Sequence, residues 1–270
     1  MRDLLKTDLK RILKDKLFLV VLILGGVFAL ITPLLYEALV LAFDFSADEA
    51  GMLIDAKTLF FSSFSLGNNF GLILPILLSV VLCKDFIYGT VRNKIISGKR
   101  RSEIFLSMFI SGTVVIVGVM LAHALLTLIV SLLFFPYQEA EFTGRSLSYF
   151  LISLLLSLLI YVFVSALICF LSAFMKNVGL VIVLYVAVNF FFSIVGAIVS
   201  VAAVFSTNAS ETTRKILEIL QKANLYTATH IGTGVEYSLS DVLCVLIPVI
   251  FGVSFCLLLG LRIFGKKDLK

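Results

Sequence analysis

Between Leu17 and Tyr36 the chain carries no charged side chain, and long apolar runs of this kind recur along its whole length. A helix needs about 20 apolar residues to cross a bilayer. Six stretches meet that need: Leu17–Phe43, Leu66–Leu82, Ile104–Phe135, Leu147–Phe174, Val178–Phe205 and Val242–Ile263. The second is the shortest. It opens with Gly67-Asn68-Asn69 and contains Pro75, so a broken or tilted start is expected. Of the 270 residues, 60% are hydrophobic and 14% charged, where soluble domains carry about a quarter charged. The expected fold class is therefore an all-α integral membrane protein with six transmembrane helices. The N-terminal basic-then-apolar pattern is too long for a signal-peptide core and is taken as a retained first span.

Charge patterning sets the expected orientation. Six spans put both termini on one side, together with the connections Cys83–Glu103 and Met175–Asn177. That side holds 17 of the 22 Lys/Arg, against 5 on the other (Lys57, Arg145, Arg214, Lys215 and Lys222). Positive charge concentrates on cytoplasmic loops, so a multi-pass protein of the cytoplasmic membrane with both termini inside is expected. The chain divides into an amphipathic interfacial helix (1–16), a six-helix domain (17–263) with a basic loop at 84–103, and a basic tail (264–270). In the first segment Leu5, Leu9, Ile12 and Leu13 share a helical face opposite Asp3, Lys6, Lys10 and Lys14. In the basic loop Lys84 to Ser97 is expected to form a short helix with Phe86, Val91, Ile95 and Ile96 as its apolar stripe, stopped by Gly98. Thr212–Lys222 can form another amphipathic helix on the far side.

Residues that carry chemistry are sparse. Gly260–Lys267 (GLRIFGKK) nearly matches a phosphate-binding loop, but Lys267 replaces the Mg²⁺-binding hydroxyl and the segment ends a span. No metalloprotease or serine-hydrolase motif is present. The cysteines, Cys83, Cys169, Cys244 and Cys256, lack metal-site spacing and read as packing residues. His123 is an ionisable group deep in the third run. It is either a proton-relay or substrate-contact group, or a neutral histidine bonded to a neighbouring helix. Asn68, Asn69 and Asn189 have the same two readings, lining of a polar path or interhelical hydrogen bonding. Gly67 to Gly71 matches a G-x-x-x-G packing motif, and Asn208-Ala-Ser210 is a glycosylation triplet.

The basic loop, KDFIYGTVRNKIISGKRRSEIF, resembles the first cytoplasmic loop of ABC-2 type transporter permeases. Asp85 stands at the family's acidic position, Gly89-Thr90 at its Gly-Thr pair, and Arg100 or Arg101 at its basic position. Gly98 stands where the family often has Pro. Within that family the chain most resembles small six-span subunits of peptide, lantibiotic or bacitracin export and self-protection systems. The resemblance implies a permease without its own ATPase, one of two such subunits, identical or related. It implies two separate ATP-binding subunits that hold the ATP and Mg, so that no cofactor resides in this chain. It also implies that Asp85, Gly89, Thr90, Arg92, Asn93, Gly98, Arg100 and Arg101 form a coupling helix and its flanks, with Asp85 capping the helix and Thr90 steadying its first turn. The cargo would be an amphipathic peptide or lipid-like molecule; neither nucleic acid nor metal enters this reading. The alternative is a secondary transporter or channel using His123 as proton or gating group.

Overall fold

The computed structural model describes residues 1–43, 55–67, 69–136, 144–175, 177–205, 210–224 and 239–266, and every element among them is helical. The side chains of Asn69 and of residues 144–146 lie outside this set, as does the whole of Asn68, so the expectation placed on that asparagine pair falls outside the described residues. Ten helices follow in order. They are α1 (Arg2–Lys14), α2 (Lys16–Ala42), α3 (Ala56–Ser62), α4 (Asn69–Ile87), α5 (Thr90–Ile96), α6 (Arg101–Phe134), α7 (Gly144–Met175), α8 (Val178–Phe205), α9 (Glu211–Ala223) and α10 (Leu239–Lys266). Six of them, α2, α4, α6, α7, α8 and α10, are long and apolar enough to span a membrane. The spans expected from sequence are these six, and the second does start late, at Asn69, and runs on to Ile87.

The six long helices form one bundle. α4 and α7 are the most enclosed, while α8 and α10 expose most of their apolar surface, as helices that face lipid must. Close approach depends on glycine at two points along α10. A side chain at Gly252 would collide with Phe163 of α7, and one at Gly260 with Phe105 of α6. The glycine of the phosphate-loop lookalike is therefore a packing residue. Gly71 is similar: a Cβ there would overlap the Ser65 carbonyl, so this end of the G-x-x-x-G motif serves the chain's own turn.

The stretch before α4 is not a surface loop. Phe60, Phe61 and Phe64 are fully buried, and Phe60 stacks on Phe150 of α7 with ring centroids 5.4 Å apart. Non-helical backbone at such depth must have its polar groups satisfied from within the protein. Tyr161 of α7 donates its hydroxyl to the Phe64 carbonyl at 3.1 Å, and Asn189 of α8 donates to the Leu66 carbonyl at 3.4 Å. Asp55 caps α3 by accepting the Thr58 N–H at 3.0 Å.

Candidate functional site: an ion-pair cluster under a short helix

The bundle has one richly charged end, where α1, the end of α4, α5 and the start of α6 meet. α4 continues to Ile87, five residues beyond the apolar run that ends at Leu82, because Lys84 and Asp85 both find partners there. The helix expected over Lys84–Ser97 is thus two helices broken at Tyr88-Gly89. Gly89 adopts φ +67°, a left-handed conformation that costs other residues about 1–2 kcal/mol. Its carbonyl accepts the first helical bond of α5, from Asn93 N–H at 2.9 Å. α5 ends on a Schellman motif: Gly98 (φ +82°) donates to the Ile95 carbonyl and Lys99 to that of Lys94. The stop at Gly98 follows the sequence expectation.

The expected role of Asp85 is corrected. No side chain caps α5, and Asp85 is instead wholly buried in the last turn of α4, 0% exposed. The Arg11 guanidinium of α1 donates to Asp85 Oδ2 and forms an ion pair with this carboxylate. Lys94 of α5 approaches the same oxygen, Asp85 Oδ2, within 3.8 Å. Lys94 also binds Asp8 of α1 at 2.5 Å, and Ser107 of α6 donates to the second oxygen of Asp8 at 2.7 Å. A third pair, Lys84–Asp15 at 2.8 Å, ties the end of α4 to the junction of α1 and α2. Three carboxylates face three cations, so the cluster is electrically balanced. Desolvation lowers the basicity of both Arg11 and Lys94, and the carboxylates around them oppose that shift.

Sequence reading missed Asp8, Arg11, Asp15, Lys84, Lys94 and Ser107. The buried stripe of α1 is Leu4, Asp8 and Ile12, with Arg11 beside it, all within an arc of about 100°. The expected apolar face is rotated from this stripe, and Leu13 is exposed. The available signal was spacing: Asp8 lies four residues from both Leu4 and Ile12, a charge in line with the core.

The opposite face of α5 is open. Arg92, Asn93 and Ile96 are exposed, Ile96 at 73%, as are Ser97 at the C-cap and Tyr88, also 73%, in the turn before the helix. Ile96 thus points away from the stripe assigned to it, while Val91 is buried and Ile95 packs against the core. Thr90 is half-buried as the first residue of α5, and Arg100 is exposed at the N-cap of α6. Arg101 reaches the last turn of α10, donating to the Gly265 carbonyl at 3.1 Å and the Phe264 carbonyl at 3.4 Å. A cation there satisfies orphan carbonyls and the negative end of the helix dipole. It also places the end of the chain's last span beside the start of α6.

Of the remaining candidates, His123 and Asn189 join neither this site nor each other. His123 donates Nδ1–H to the Gly25 carbonyl of α2 at 2.8 Å, and its ring lies 4.5 Å from that of Phe70. A nitrogen facing a carbonyl must carry the proton, which fixes the tautomer. A cavity of about 100 Å³ opens beside it, lined by Leu22, Gly25, Gly26, Val119, Ala122 and Leu126. Asn189 lines a different, mostly apolar cavity with Tyr185, Phe163 and Leu66.

With six helices among the described residues long and apolar enough to cross a bilayer, this is a helical, multi-pass membrane protein. Over residues 18–270 the chain matches the family described as a protein of unknown function (DUF2705), and it belongs to that family. No curated protein matches it.

Proposed function

We propose that this chain is the membrane subunit of an ATP-driven exporter, a permease of the ABC-2 type, and that α5 is the helix on which a separate ATPase subunit docks. The carrying observation is the two-sidedness of α5. Lys94 holds its inner face to Asp8 and Asp85, while Arg92, Asn93 and Ile96 are exposed on its outer face and Tyr88 is exposed in the turn before it. A mixed aromatic, aliphatic and cationic face on a rigidly held element suits a protein partner. On this reading the charged end is cytoplasmic. Two such subunits flank a central path, and two ATPase subunits bind the ATP and Mg. ATP favours the closed ATPase pair, and closure displaces α5. Because α5 is bonded to α1, α4 and, through Asp8, α6, the spans move with it rather than the loop yielding. Only a difference in ATP affinity between the two states can drive the change. The transported molecule is an amphipathic peptide or a lipid-like compound taken from the bilayer.

Photo-crosslinkers placed at Tyr88, Asn93 and Ile96 in native membranes test this. The expected product is an adduct with an ATP-hydrolysing polypeptide of about 25–35 kDa, the size of one domain with additions. Adducts with lipid alone, from a preparation that hydrolyses no ATP, would overturn the assignment.

A further inference from the structure

At the end of the bundle opposite α1, α9 divides into three sectors. With about 100° per residue, Leu217, Gln221 and Asn224 fall in one sector, Glu211, Lys215, Glu218 and Lys222 in a second, and Ile216, Ile219 and Leu220 in a third. The sector centres lie about 120° apart. The first sector rests on the bundle. Gln221 donates to Ser200 at 3.4 Å and Asn224 to the Phe192 carbonyl at 2.9 Å, both on α8. In the charged sector, Lys222 pairs with Asp241 in the first turn of α10 at 2.7 Å and with Glu218 at 2.5 Å, and Lys215 pairs with Glu211 at 2.6 Å. These bonds to two different spans prevent the helix from rolling. The third sector is left uncovered, with Ile216, Ile219 and Leu220 each 50–54% exposed.

We infer that α9 is a membrane-surface helix, its Ile216–Ile219–Leu220 sector sunk into the acyl region of the leaflet at this end of the bundle. Lipid is the occupant because the sector continues a surface already given to lipid. α9 packs at the ends of α8 and α10, the two least enclosed spans, whose apolar residues at that end, Val204 and Phe205 of α8 and Leu239 and Leu243 of α10, are exposed. A helix lying against a protein wall at the bilayer boundary meets three surroundings: protein, water and acyl chains. The sectors of α9 match these one to one, with the charged one turned to water. Ser210 caps the helix by accepting the Thr213 N–H at 3.3 Å, so it begins as a formed element.

Nitroxide labels test the inference in the full chain reconstituted into phosphatidylcholine–phosphatidylglycerol vesicles. Labels go on Ile216→Cys, Ile219→Cys and Leu220→Cys, and on Glu211→Cys and Lys215→Cys as water-side controls. The background carries Cys244→Ser, the other three cysteines being buried. The expected result is a severalfold higher ratio of oxygen to water-soluble nickel-chelate accessibility at the three apolar positions than at the two controls. Equal nickel accessibility at all five positions would place the sector in water and overturn the inference. Exclusion of both reagents from the apolar positions would assign the sector to a second copy of the chain and overturn it equally.

Discussion

Lys94 stands between two carboxylates, Asp8 at 2.5 Å and Asp85 at 3.8 Å, with 11% of its side chain exposed. Taking it out leaves two buried acids with one fewer cation. Breaking a buried pair on one side costs about 3–5 kcal/mol, more than the pair itself is worth. Lys94→Met keeps the length of the stem and removes the charge. It is expected to lower stability by that order in a detergent unfolding assay, and Asp8→Asn in the same chain is expected to restore part of the loss. Asp15 gives a pH test. Burial raises its carboxyl pKa, but the Lys84 ammonium and the Leu17 N–H outweigh that and hold it below the usual 3.8. A depressed acid contributes stability above its unfolded value and loses it as pH falls through the folded one. The stability gap between the native chain and Asp15→Asn should thus be constant above about pH 4 and close below it. None of these partners was legible in the sequence. A lysine in a basic loop has the same composition whether it faces water or Asp8, and the loop's excess charge hid the cation that is largely enclosed.

At the scale of elements, α5 is delimited by two left-handed glycines. The second was legible, since a glycine after an amphipathic run is a common helix stop. The first was not, because Gly89 sits inside what reads as one continuous amphipathic stretch. A Cβ at Gly89 would touch nothing within 4 Å, so any penalty there comes from the backbone alone. Gly89→Ala is expected to cost about 1 kcal/mol. Gly89→Asn, which tolerates the left-handed region better, should cost less. Gly89→Pro cannot adopt φ +67°; if the chain is the exporter subunit proposed above, the substitution is expected to abolish coupled ATP hydrolysis while all six spans still insert. A Gly89→Pro protein whose hydrolysis remains coupled would show that the angle between α4 and α5 does not matter. The six spans themselves were legible to within a few residues, because an uncharged run of their length has few alternatives. The rotated face of α1 was not, since Leu5, Leu9 and Leu13 make a better apolar stripe than the one that packs.

For the whole molecule, the architecture follows from hydropathy but the insertion of residues 55–67 does not. That segment carries Asp55 and Lys57, which argue for a surface loop. Its burial depends on Tyr161 and Asn189, 97 and 123 positions further along the chain from the carbonyls they serve. Pairings at such distance leave no periodic trace.

The cluster at the other end has the same long-range character, and it bears on biogenesis. Asp8 and Arg11 leave the ribosome early, yet their partners Asp85, Lys94 and Ser107 follow 74 to 99 residues later. Until Lys94 and Ser107 have been made, Asp8 has only the cations of its own helix beside it, and the docked position of α1 cannot form. Docking of the first segment therefore waits on synthesis of the first 107 residues of the 270.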